Sequence, residues 1–394
     1  MFYLGLPFEA VSQIFFGSIN KYTLLAVPFF MLAGNLMNET GIVTAIVNFA
    51  NALFGRVRGI LGASLVWSCA FMGTLTGSNV ATVTTMMETM VPTLEEFGYP
   101  KRSSCGVLST SGSIATMIPP CTNAILFGYV TEMSVGRLFM AGLLPGLLAG
   151  VILSTLAVVI ASRRKYGSAV LSLSWGERAR SLLRVLPATI VPIVVLGSIY
   201  AGFLVATEAG LVACVMTLVI GILFYKRLSF SEVLAGIRRS LVGAANVYLL
   251  IASAQLLGYL LVYLQVPHVF ATTLVSFGVT YWSFVFISIF IFLVLGLVLD
   301  PAVMVVVIVP LLMPAVETMA MDPFVFYILE NCLVSIGQVT PPVAIVLYIM
   351  SGISKVPIST ILKESWPFIA GLIAVVIITV MFPQLATFIP SIMH

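Results

Sequence analysis

The sequence predicts an all-α polytopic membrane protein: an inverted-topology repeat with two re-entrant hairpins and two broken helices. Three observations carry this. First, 60% of the 394 residues are hydrophobic and only 8% are charged, with a mean hydropathy of +1.16, whereas soluble domains are about a quarter charged. Second, apolar stretches of about 20 residues, the length that crosses a bilayer core, recur along the chain. Third, a proline pattern repeats. Pro92, Pro119, Pro120 and Pro145 return 222 residues later as Pro314, Pro341, Pro342 and Pro367. Leu6, Phe8 and Val11 return at that spacing as Leu228, Phe230 and Val233, while Gly55 and Gly73 match Gly278 and Gly296 at 223.

Charge orients each half, because Lys and Arg of short loops concentrate on the cytoplasmic side. In the first half they sit at Arg56 and Arg58, at Lys101 and Arg102, and at Arg163, Arg164 and Lys165. The equivalent second-half loops near Tyr281 and Asp322 carry none, and basic residues return one crossing later at Lys355 and Lys363. Matching loops therefore lie on opposite sides of the membrane, the mark of an inverted repeat. Arg137 is an exception, since this reading places it outside. Residues 1–162 form the first repeat, 163–225 a cytoplasmic linker with connecting helices, and 226–394 the second repeat. The second half has an apolar helix at 207–225 whose counterpart would precede Met1, so the first repeat is expected to lack its first helix.

The elements follow in order. Residues 22–38 read as a spanning helix and 42–55 as an interfacial amphipathic arm. Residues 58–97 hold two apolar stretches broken around Gly77, Ser78 and Asn79. Basic loops bracket both ends, which makes them a re-entrant hairpin. Residues 104–131 are a helix interrupted at Ile118, Pro119 and Pro120, and 137–162 return to the cytoplasm. Gly142, Gly146 and Gly150 allow close helix approach there. Helices at 185–200 and 207–225 connect the halves. In the second half 241–264 spans, 267–277 is the arm, and a hairpin at 280–318 breaks at Asp300 and Pro301. Residues 323–351 are the helix broken at Thr340, Pro341 and Pro342, and 364–390 close the repeat.

The remaining composition excludes several functions. The net charge of +4 has no basic run behind it, so no nucleic-acid partner is expected. Cys69, Cys105, Cys121, Cys214 and Cys332 are scattered singly, without metal-ligand or disulfide spacing. No cofactor is implied. An intramembrane aspartyl protease needs two membrane aspartates, but Asp322 reads as a loop residue. A serine protease needs a membrane histidine, and His268 and His394 both read as near-surface.

The breaks are where binding chemistry belongs. A double proline removes two N–H donors, and the freed carbonyls need partners inside a membrane. Around the first hairpin, Thr76, Gly77, Ser78 and Asn79 lie in a run of hydroxyls and amides. A second run, including Ser113, leads into Pro119 and Pro120. Such neutral oxygens with loose carbonyls suit Na⁺, and helix N-termini facing them suit an anion. Alternatively, each Ser or Thr bonds back to its own helix. Asp300 lies at the second hairpin tip, where an unpaired charge is costly unless it binds a cation, gates, or reaches water. Gln338 is a stronger candidate than Asn331 because it lies two residues from Thr340. Glu330 reads either as a functional polar residue near the second break or as loop-proximal, and Glu208 as either a helix N-cap or a functional acid.

The chain resembles the large membrane (M) subunit of the TRAP, tripartite ATP-independent periplasmic, transporters. The match rests on Val27–Phe30 with Ala33–Met37, on Thr76–Asn79 with Ile118–Pro120 and Gly142–Gly146, on Gly197–Tyr200, Gly202 and Thr207–Ala209, and on Leu299–Pro301 with Thr340–Pro342. Cys121 stands where the family usually has serine. The resemblance implies an elevator-type secondary carrier in the bacterial inner membrane that imports organic acids such as C4-dicarboxylates or sialic acids, typically with Na⁺. It implies a periplasmic substrate-binding protein and a small four-helix membrane subunit as partners, alongside the lipid bilayer. Carried over, Ser78, Asn79, Asp300 and Thr340 become Na⁺ candidates, with Thr76, Gly77, Ser113, Pro119, Pro120, Gln338, Pro341 and Pro342 beside them. A stand-alone inverted-repeat symporter is the alternative carrier, and a purely structural membrane component the third reading.

Overall fold

The structure is a computed structural model and describes residues 9–40, 60–167, 175–225 and 228–393. Among the described residues it is helical throughout, with no strand. Among the described residues five helices are long and apolar enough to cross a membrane, and two bent pairs could supply two more spans.

In the first half, α1 (Glu9–Ile19) leads through a 53° bend and a 3₁₀ turn, Tyr22–Leu25, into α2 (Ala26–Glu39). Helix α1 was not expected. The arm at 42–55 lies outside the described residues. The first hairpin is α3 (Ile60–Thr76) and α4 (Asn79–Glu96), and its two limbs pack on each other. Seventeen residues rise only about 25 Å at 1.5 Å each, short of a core about 30 Å thick, so α3 suits a re-entrant limb. The broken helix follows as α5 (Lys101–Ser111), α6 (Ile114–Met117) and α7 (Thr122–Thr131), bent by 45°. Helix α8 (Val135–Arg163) closes the half.

Helices α9 (Trp175–Tyr200) and α10 (Ala206–Ile220) connect the halves. Glu208 is not the N-cap of α10. It is the third helical residue, and its Oε2 accepts from the Val205 N–H at 3.1 Å.

The second half runs α11 (Phe230–Tyr263), the arm α12 (Val266–Ser276), α13 (Tyr281–Gly296), α14 (Pro301–Val303), a π turn, Met304–Ile308, and α15 (Val309–Thr318). Then come α16 (Pro323–Gly337), α17 (Ile345–Ser354), α18 (Ile358–Met381) and α19 (Gln384–Ser391). Helix α11 begins ahead of the expected 241. A capping box starts it: Ser229 N–H donates to Glu232 Oε2 at 2.6 Å, and Glu232 N–H donates to Ser229 Oγ at 3.3 Å. No proline or glycine pair stops it after that. The polar stretch through Arg238 and Arg239 hid this extension from a hydropathy reading.

Both halves thus present hairpin, broken helix and closing helix in one order. A close backbone contact also recurs. A Cβ on Gly73 would lie 2.4 Å from Ala115 Cα, and one on Gly337 would lie 2.4 Å from the Gly296 carbonyl oxygen. Gly296 is the repeat partner of Gly73, and Gly337 stands 222 residues after Ala115.

Packing divides the helices into two groups. Helices α2, α9, α10 and α11 stack on one another, and α3, α5, α8, α16 and α18 form a second group. Aromatic rings bind the halves together inside the second group: Phe127 on α7 meets Tyr327 on α16 edge-on at 5.1 Å. At one end of this group, Glu364 at the start of α18 pairs with Arg102 on α5 and with Arg164 at the end of α8. That brings together three segments which the charge pattern puts on the cytoplasmic side.

Candidate functional site

A cavity of about 290 Å³ lies where the two helix groups meet. Helix α2 supplies Met31, Gly34, Asn35 and Asn38 to its wall, and α11 supplies Val247. The first hairpin tip supplies Thr76 to Ala81, and the second supplies Asp300, Pro301 and Ala302. The broken helices close it with Thr116, Thr122 and Asn123 from the first and Asn331, Ser335 and Gln338 from the second.

Local sequence shapes each tip. Gly77 turns the first hairpin at φ +59, and a Cβ there would lie 2.9 Å from the Pro120 carbonyl oxygen. Glycine is therefore required both for the backbone angle and for seating the tip on the first break. Ser78 N-caps α4, its Oγ accepting from Ala81 N–H at 3.4 Å. Asp300 N-caps the second limb, its Oδ1 accepting from Ala302 N–H at 2.9 Å. That tip is tied to the second break by Val343 N–H donating to the Leu297 carbonyl at 3.3 Å.

The breaks leave carbonyls free, and the partners are visible. Pro120 cannot donate to the Thr116 carbonyl four residues back. Asn331 Nδ2 takes that acceptor at 2.7 Å. Pro342 likewise frees the Gln338 carbonyl, which accepts from Val346 N–H across the break at 3.2 Å. Side-chain bonds also join the halves at the cavity: Asn79 Nδ2 donates to Gln338 Oε1 at 2.6 Å, and Thr116 Oγ1 and Ser335 Oγ lie 3.0 Å apart.

Of the residues singled out from sequence, Thr76, Gly77, Ser78, Asn79, Asp300 and Gln338 line this cavity. Ser113, Pro119, Pro120, Thr340, Pro341 and Pro342 are not on its wall. Ser113 is fully buried with its Oγ unpartnered. Pro119 and Pro120 are buried behind the first tip, whereas Pro341 and Pro342 are exposed. Thr340 Oγ1 donates to Ile336 O at 2.8 Å, so it does bond back to its own helix. Asn79 Oδ1 is buried and has no partner.

The sequence reading missed Thr122, Asn123, Asn35 and Asn38, and ranked Asn331 too low. Of the two readings the sequence leaves for Glu330, the loop-proximal one does not hold: it lies in the middle of α16 and is 0% exposed. Glu330 Oε2 accepts from Asn123 Nδ2 at 2.9 Å. The available signal was the polar pair Glu330–Asn331 inside an otherwise apolar helical stretch.

Among the described residues no Lys, Arg or His lines the cavity, and Asp300 is its one carboxylate. Positive potential comes instead from helix ends. Asn79 and Val80 open α4, and Thr122 and Asn123 open α7, all four on the wall. First-turn N–H groups have no intrahelical acceptor and lie at the positive pole of the helix dipole. The cavity can thus hold an anion against amide donors and a cation against neutral oxygens.

The family model described as "Tripartite ATP-independent periplasmic transporter, DctM component" matches residues 1–385. The C4-dicarboxylate TRAP transporter large permease proteins DctM of Rhodobacter capsulatus and Pseudomonas aeruginosa are 30% and 29% identical to this chain. These matches cover 98% and 95% of this chain, and 91% and 88% of the relatives. Among solved structures, the Alcanivorax borkumensis YdaH transporter, described as having an unusual topology, shares the fold. Its TM-score is 0.70 at 13% identity, over 96% of this chain and 88% of that one. A whole-chain match, two broken helices and two polar hairpin tips around one cavity agree: this chain belongs to the tripartite ATP-independent periplasmic transporters, as their DctM component, a membrane transport subunit and not an enzyme.

Proposed function

We propose that this subunit carries a small organic acid anion into the cell, driven by Na⁺. The observation that carries the anion is the convergence of the α4 and α7 N-termini on a cavity with no basic side chain among the described residues. Four amide N–H groups there provide a recognition surface that suits a carboxylate. The dicarboxylate named for the two DctM relatives supports that class of cargo.

Na⁺ is supported by the oxygen chemistry of the tips. Asn79 Oδ1 is buried and unpartnered, Ser78 contributes a hydroxyl, and Asp300 adds a carboxylate at the second tip. Thr340 keeps its oxygen lone pairs available, because its hydroxyl is donor to Ile336 O. Hard cations favour such a set.

In this reading the second helix group carries the site past α2, α10 and α11, as an elevator. A periplasmic binding protein delivers the anion and a small four-helix subunit widens the fixed scaffold, in the bacterial inner membrane. The test is uptake of a labelled C4-dicarboxylate into proteoliposomes containing this chain and its small partner, with the binding protein outside. Uptake should require both the binding protein and an inward Na⁺ gradient. Equal uptake when K⁺ replaces Na⁺ would sink the coupling, and uptake without the binding protein would favour a stand-alone symporter.

A further inference from the structure

We propose, building on that carrier reading, that Glu330 is a second cation site of the cycle, one that carries a proton. It lies apart from the Na⁺ candidates at the hairpin tips and reaches the cavity through Asn123.

The geometry begins with an imbalance. Glu330 is wholly buried, takes a single hydrogen bond from Asn123 Nδ2, and leaves Oε1 without a partner. No salt bridge among the described residues includes it. A buried carboxylate is stable only when paired or neutralised. The titratable groups beside it are Cys121 at the start of α7, and Tyr327 and Cys332 on its own helix. Other elements packed on α16 offer it no counter-ion. Helix α13 carries Tyr281 in its first turn, α7 carries Tyr129, and α8 carries Arg137 and Arg163 at its opposite ends. On α18 Lys363 lies near the start, and Glu364 there is held by Arg102 and Arg164. Helices α6 and α19 carry no ionisable side chain.

The surroundings favour a proton over a metal cation. Na⁺ needs several oxygens at once. Here Asn123 turns its NH₂ toward the carboxyl, Asn331 commits its NH₂ to Thr116 O and Tyr327 Oη, and the other titratable groups beside the carboxyl are the Cys121 and Cys332 thiols. A proton needs one oxygen, and Oε1 is that oxygen.

Asn123 is the link to the site. It lines the cavity and it donates to Glu330, so a change in cavity occupancy that moves Asn123 also changes what the carboxyl meets. The step balances simply. On the outward side the carboxylate takes a proton from hydronium, giving carboxylic acid and water; on the inward side the acid returns it to water.

Two measurements test this. In infrared spectra of the purified full chain at neutral pH, wild type should show a carboxylic-acid carbonyl band that Glu330→Gln lacks. Identical spectra would overturn the proposal. In the reconstituted complex with a trapped pH dye, Na⁺-driven dicarboxylate uptake should acidify the lumen, and Glu330→Gln should lose that acidification together with any acceleration by an acid-outside gradient. Wild-type uptake without acidification, or a variant that acidifies as before, would overturn the proton site and leave the Na⁺ reading standing. No uptake under any gradient would sink the carrier reading instead, and the infrared comparison would still decide Glu330.

Discussion

Asn331 on α16 donates its amide to the Thr116 carbonyl at 2.7 Å, occupying the acceptor that Pro120 leaves free in the other half of the chain. The broken helices therefore complete each other. Replacing Asn331 with Ala strips a part-buried carbonyl of its partner and is expected to destabilise the protein by about 1 kcal/mol. A lowered thermal unfolding midpoint in detergent would check this, and an unchanged midpoint would mean that water replaces the amide.

Gly337 faces backbone, not side chain. A Cβ there would lie 2.4 Å from the Gly296 oxygen and 2.5 Å from its carbonyl carbon, and neither can swing away. Gly337→Ala is predicted to cost about 1–3 kcal/mol through overpacking and to reduce folded yield. Gly352→Ala, with nothing within 4 Å, should be neutral or stabilising by about 0.5–1 kcal/mol. Equal melting temperatures for the two variants would contradict the packing argument.

Asp300→Ala is predicted to abolish transport while leaving membrane insertion and folding intact, because the residue is exposed and its one protein partner is a helix cap. Membrane fractionation together with uptake would read this directly. Retained uptake would make the aspartate a cap alone.

Glu364→Gln removes the charge shared by Arg102 and Arg164. Those arginine side chains are 59% and 45% exposed, so each pair should contribute less than about 1 kcal/mol after screening. A small downward shift in melting temperature that disappears in high salt is the expected result, and a large salt-independent shift would assign Glu364 a role beyond these pairs.

The breaks were legible because they are local. Gly77-Ser78-Asn79, Asp300-Pro301 and the two Pro–Pro steps each disrupt a helix by their own chemistry, and the structure interrupts its helices at all four. The bend before α2 carries no such signature at Asn20–Lys21, so α1 went unread. The buried polar partners were illegible for another reason. Asn123 and Glu330 are separated by 207 residues, and Asn79 and Gln338 by 259. Each side chain is explained only by another half of the chain, which periodicity does not reach. Sequence leaves Glu330 open between a functional acid and a loop-proximal one because its counterpart is so far away along the chain.

The tight seating of each tip on its break has a further consequence. Gly77 against Pro120, and Gly296 against Gly337, are backbone contacts too close to admit even a Cβ. In the proposed carrier motion the wall they form moves as one piece, and the seam runs along Met31, Gly34 and Val247. Selectivity and leakiness then belong to different residues. Altering the tips should change which solute rides, whereas shaving Met31 or Val247 to alanine should leave the choice of solute intact and raise Na⁺ flux in the absence of any cargo, measurable as tracer ²²Na⁺ entry into sealed vesicles.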